Sequence, residues 1–191
     1  MEMRLTSKEK PVAFFSAAYI GLFLIYSIII RNYEFVYYMA VLVLFFILIF
    51  AYQRSLNFSL GLLWALSTWG LLHVAGGNIP INGSVLYNLW LLPFLKYDMA
   101  VHAYGFAVAT FVGFALLEKQ LKKPVKSPKL IVFLCLVIGM GFGALNELVE
   151  FLAVLFIPNT NVGGYMNTGF DLLFNFIGSF IAAVLLYIRR G

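Results

Sequence analysis

LIVFLCLVIGMGFGALNELVEFLAVLF, residues 130–156, is the stretch that decides the fold. It runs for 27 residues with Glu147 and Glu150 as its charged side chains. A helix needs about 20 mostly apolar residues to cross a hydrocarbon core about 30 Å thick. This stretch is longer than that, so it reads as a membrane-spanning helix with length left over to tilt or project. Outward from it, the same reading gives four earlier spans at 12–30, 35–52, 58–75 and 97–117, and a last one at 169–188. The first is too long for a signal-peptide core and has no convincing cleavage site after it, so it counts as a retained helix.

Composition agrees. Of 191 residues 63% are hydrophobic and 11% charged, with a mean hydropathy of +0.95, whereas soluble domains carry roughly 25% charged residues. Too little polar surface exists to face water, so lipid is the solvent. The expected fold is all-α, a polytopic bundle of about six transmembrane helices forming one integral membrane domain over 1–191. No soluble domain, internal repeat or low-complexity tract interrupts it. The single cysteine, Cys135, lies in an apolar run, has no internal disulfide partner and reads as a small buried hydrophobe.

Lysine and arginine set the orientation. An inside N-terminus puts Arg4, Lys8, Lys10, Arg54, Lys119, Lys122, Lys123, Lys126, Lys129, Arg189 and Arg190 on the cytoplasmic side and leaves Arg31 and Lys96 outside. Both termini are therefore expected inside, in a multi-pass protein of the cytoplasmic membrane. The net charge of +5 points to anionic lipid rather than nucleic acid, because the lysines flank the bilayer. The outer connection 76–96, with Tyr87, Trp90 and Pro93, is expected along the interface, where amphipathic rings favour the headgroup level. The connection 157–168, rich in Asn and Gly, reads either as a cap or as an ordinary polar turn. Asn57-Phe-Ser and Asn82-Gly-Ser match the glycosylation pattern but carry no weight in a chain that reads as prokaryotic.

Glu2, Glu9, Glu34 and Glu118 lie at tails or span ends. Asp98, Glu147, Glu150 and Asp171 lie inside apolar stretches, as do both histidines, His73 and His102. A charged side chain near the bilayer centre costs about 2.5–3.5 kcal/mol even on insertion scales. Six such groups imply that they face each other, water or a ligand. With the N-terminus inside, all six fall in the outer half of the membrane, on four different spans. Asp98 and His102 are four apart, Glu147 and Glu150 three, Asp171 and Asn175 four, so each pair shares a helix face. Asp98 and Asp171 also stand where a side chain caps a helix start. Asn175 reads as a helix–helix hydrogen-bonding residue. Gly105 and the run Gly139, Gly141, Gly143 read as close-packing positions.

Imidazole with carboxylate suits zinc, manganese or iron. The metal candidates are His73, His102, Glu147 and Glu150. The catalytic candidates are His102, Glu147 and Glu150 as ligands or base, with Asp98 and Asp171 orienting them. A metal would generate hydroxide near neutral pH, and the outer position suggests a lipid or lipid-linked substrate. Without metal, clustered carboxylates and a histidine can shuttle protons. That chemistry leaves two alternatives, a small proton-coupled transporter or permease and a membrane scaffold. No inverted repeat or broken helix pair favours transport.

Four segments, in order, resemble the YjdF-type family of prokaryotic membrane proteins. They are Leu72-His73-Val74-Ala75-Gly76-Gly77, then Tyr97-Asp98 with His102 and Gly105, then Asn146-Glu147-Leu148-Val149-Glu150-Phe151, and Gly169-Phe170-Asp171 with Asn175 and Gly178. The resemblance covers about 71–188. It departs at Phe151, where the family pattern has tryptophan, and at Asn167-Thr168-Gly169-Phe170, where the family is tryptophan-rich. The order of Asp, His, Glu, Asp and Asn is also loosely similar to VanZ-like proteins. The resemblance implies a shared site and supplies no reaction, substrate or cofactor.

Overall fold

The structure is a computed structural model that describes residues 5–120 and 127–190. Glu2, Arg4, Lys122, Lys123 and Lys126 lie outside the described residues, as does the side chain of Arg190. Six helices form: α1 (Lys10–Ile29), α2 (Tyr33–Leu56), α3 (Leu60–Asn78), α4 (Tyr97–Gln120), α5 (Pro128–Phe156) and α6 (Tyr165–Arg190). All six are long and apolar enough to cross a membrane, and each overlaps one of the six expected spans. Helices suit lipid because every interior backbone N–H and C=O is satisfied within the segment. Large apolar side chains such as Phe14, Leu22, Ile29, Leu145, Leu155 and Phe180 point outward.

Local sequence sets the ends. Pro11 sits in the first turn of α1, where a missing N–H costs nothing. Asn32 accepts the Phe35 N–H at 3.3 Å and caps α2. Asn57 ends α2 in the left-handed region at φ 47°, and Ser59 then caps α3 by accepting the Leu62 N–H. The glycosylation-like triplet Asn57-Phe-Ser is thus the stop and start signal between two helices. Asn82-Gly83, with φ of 50° and 76°, turns β1 (Pro80–Ile81) back onto β2 (Ser84–Val85). Such a pair is the commonest two-residue hairpin turn. A single 3-10 turn at Leu86–Asn88 leads into β3 (Trp90–Leu92), which pairs antiparallel with β4 (Leu95–Lys96).

The chain divides into two compact units. The first runs to Asp98 and includes Leu155–Asn161. Its core is Tyr19, Ile20, Met39 and Val74, packed by Phe23, Leu42, Phe46 and Leu71 from α1, α2 and α3. Polar pins cross that core. Ser16 and Ser67 hydroxyls meet at 2.6 Å, and Ser27 donates to Asn78 Oδ1 at 2.7 Å. The connection after α5 is tied down here, because the Asn161 N–H donates to Glu34 Oε2 at 2.7 Å and Asn88 Nδ2 donates to Asn161 Oδ1 at 3.2 Å. Glu34, a span-end residue by sequence, is thus buried with a partner 127 positions away.

The second unit comprises Met99–Val154 and Val162–Gly191. Cys135 is fully buried with Ile131 and Leu186, against Phe111, Phe114 and Leu117, as its apolar surroundings in sequence suggest. Close approach of α4, α5 and α6 depends on glycine. A Cβ on Gly139 would strike Thr110 and Ser179, one on Gly113 would strike Ile138, and one on Gly178 would strike the backbone carbonyl of Ala103. Gly141 faces open space, so Gly139 and Gly143 are the packing positions of that run.

Candidate functional site

His102 is in the second turn of α4 and is buried. Its Nδ1 lies 2.9 Å from Asn175 Oδ1 on α6, and both residues are enclosed. An amide oxygen can only accept, so Nδ1 carries the proton and donates. Nε2 then points away from Asn175, and the ring cannot rotate without breaking the Asn175 bond. Asn175, read from sequence as a helix–helix hydrogen-bonding residue, makes its bond to the imidazole itself.

Nε2 faces two carboxylates. Asp171 Oδ1 on α6 is 3.8 Å away and Glu150 Oε1 on α5 is 4.0 Å away. Both separations are too long for a hydrogen bond. They are a few tenths of an ångström longer than the edge of about 3.4 Å that bonds of about 2.0–2.2 Å to one tetrahedral ion would produce. Glu147 completes the group. One ligand atom each from His102, Glu147 and Glu150 lies within 4.8 Å of the other two.

Two of the carboxylates, Glu150 and Asp171, are each held by an asparagine one turn earlier on their own helices. Asn146 Nδ2 donates to Glu150 Oε1 at 2.8 Å, and Asn167 Nδ2 donates to Asp171 Oδ2 at 2.5 Å. The Asn167 bond occupies the oxygen that does not face His102, so Asp171 Oδ1 remains turned to Nε2. Gly143 provides the room for Asn175, since a Cβ there would sit 2.9 Å from Asn175 Nδ2. That Nδ2 is buried and has no hydrogen-bond partner among the described residues. An unmet buried donor costs about 1–3 kcal/mol, a cost more readily tolerated beside a functional group than in plain core.

Asp98 is in the first turn of α4, one turn before His102, and falls with the first unit. Asp171 does not cap α6. That helix begins at Tyr165, four residues before the expected start, which puts Asp171 nearly two turns inside at 1% exposure. His73 belongs to the first unit, where its Nδ1 meets the Tyr87 hydroxyl and its ring lies against Trp69, Phe35 and Tyr38. Among the described residues, the metal-ligating groups that converge contain His102 and not His73. Sequence reasoning passed over Asn146 and Asn167. Their signal was the four-residue step to a carboxylate on a spanning helix.

A family model described as "Predicted membrane protein (DUF2238)" matches residues 12–191. No curated protein and no solved structure matches the chain. The YjdF-type resemblance is to this same domain, while the VanZ-like one has no counterpart in the match. With six membrane-crossing helices and a match over nearly its whole length, the chain is a multi-pass membrane protein that belongs to the DUF2238 family.

Proposed function

We propose that the second unit holds a divalent transition metal through His102, Glu147, Glu150 and Asp171, and that the protein is a metal-assisted enzyme acting on a lipid or envelope component. The observation that carries this reading is the fixed imidazole. Asn175 accepts from Nδ1, which leaves Nε2 aimed at Asp171 and Glu150 across gaps too wide for hydrogen bonds. Metal-bound histidines characteristically have the second nitrogen anchored in this way. One imidazole with three carboxylates suits zinc, manganese or iron, and disfavours ions that take oxygen ligands alone. A metal held there lowers the pKa of bound water towards about 7. Asp98, one turn along α4, has an orienting role.

The positive-inside pattern supports an inside N-terminus and C-terminus in the cytoplasmic membrane. Under that orientation the start of α4, the end of α5 and the start of α6 lie towards the outer face. A substrate then arrives from the outer leaflet.

Elemental analysis of detergent-purified protein tests this. Wild type should carry near-stoichiometric zinc, manganese or iron, and the double variant His102→Ala/Glu147→Ala should carry none while eluting as the same monodisperse peak. Wild type that stays metal-free after reconstitution with excess ions sinks the proposal.

A further inference from the structure

The ribbon between α3 and α4 presents the most concentrated apolar surface of any non-helical segment among the described residues. Trp90, Leu91, Leu92 and Phe94 are 53%, 46%, 48% and 73% exposed, and Ile79 at the other end is 41% exposed. On a water-facing loop such a run would be a liability. Its position along the chain argues for another environment. β4 ends at Lys96 and α4 begins at Tyr97 with no residue between. α4 has 24 residues, about 36 Å at 1.5 Å per residue, against a hydrocarbon core of about 30 Å. Its first residue therefore lies within a few ångströms of the hydrocarbon boundary, and so does the strand joined to it. α3 ends at Asn78 just before the ribbon begins, which tethers both ends to one face of the membrane.

The backbone is prepared for a layer poor in water. Trp90 pairs with Lys96 and Leu92 with Leu95. The Tyr97 N–H donates to Leu89 O at 2.8 Å, and the Leu86 N–H to Ile79 O at 2.9 Å. Satisfying these groups internally is what low-polarity surroundings require. The one cation of the hairpin, Lys96, has its ammonium 5.3 Å from the centre of the Trp90 ring. An indole and an ammonium side by side suit the headgroup layer, where the ring prefers the interface and the cation meets lipid phosphate.

We infer that the β3–β4 hairpin is an interfacial anchor, seated with Trp90, Leu91, Leu92 and Phe94 among the lipid headgroups and upper acyl chains, which fixes the depth at which α4 enters the membrane. This rests on the membrane topology and not on the proposed metal. Its consequence for α4 is a depth scale: His102, five residues beyond Tyr97, lies about 7.5 Å further along the axis.

Trp90 is its own reporter. The protein is reconstituted into phosphatidylethanolamine/phosphatidylglycerol vesicles, and the Trp90 signal is taken from a Trp64→Phe/Trp69→Phe variant. It is also obtained as the difference between wild type and Trp90→Phe, which does not depend on the double variant folding. The expected result is a blue-shifted emission. It should be quenched more by lipids brominated near the glycerol end of the acyl chain than by lipids brominated near the methyl end, and little by aqueous acrylamide. Strong acrylamide quenching with no effect of brominated lipid would place the hairpin in water and overturn the inference. Shielding from both quenchers would mean that protein, such as a second copy of the chain, covers the hairpin, and would overturn it equally. Metal content plays no part in this readout, so the outcome is separable from that of the elemental analysis.

Discussion

At the scale of single residues, the proposed metal site turns on Asn175, because its bond to Nδ1 decides which imidazole nitrogen faces the carboxylates. Asn175→Ala should weaken metal binding by about 10–100-fold, as loss of such outer partners typically does. Asn175→Asp keeps an acceptor for Nδ1–H and should retain most of the affinity. Competition with a chromophoric chelator measures both, and equal affinities for wild type and the alanine variant would remove Asn175 from the argument. The ionisable residues were legible in the sequence because charge in lipid is expensive enough to demand a reason. Asn146 and Asn167 were not, because an asparagine in a helix is as readily a packing or capping residue as a clamp. What distinguishes them is the geometry of the donated bond.

At the scale of elements, spacing between helices is set by where a methyl group will not fit. Gly178→Ala drives a Cβ into the main chain at Ala103, which cannot swing aside as a side chain would. A loss of about 1–3 kcal/mol is expected from overpacking of this kind. Gly141→Ala meets nothing within 4 Å and should be neutral or slightly stabilising, since alanine is the better helix former. Thermal unfolding in detergent compares the two, and a destabilised Gly141→Ala would show that the face is not free. The spans were readable because a run of apolar residues admits one structure in lipid. Their ends were less so. α6 starts at Tyr165 because Tyr165-Met-Asn-Thr continues the helix beyond the apolar run, and the polar Asn167 that hid this start also clamps Asp171. The hairpins carried a signal in Asn82-Gly83, submerged in a segment whose aromatic content spoke first of the interface.

At the scale of the whole molecule, one acid-sensitive tie links the entry of α1 to the end of α2. The Thr6 N–H, and then the Gln53 amide, hold the Glu9 carboxyl below its usual value of 4.5, against a smaller opposing effect of burial. A carboxyl lowered on folding contributes stability that is fully present above about 4.5 and is lost as pH falls through the lowered value. Wild type should therefore melt above Glu9→Gln at neutral pH, and the difference should close on acidification below that point. A gap that persists in acid would locate the effect elsewhere. The packing around Cys135 has a practical consequence at this same scale. The lone thiol is sealed among Ile131, Leu186 and Phe111, so the native chain should give almost no background with membrane-impermeant maleimides. A cysteine placed at Glu118 and another at Asn161, tested one at a time on intact cells, would then report directly which end of the bundle meets the medium.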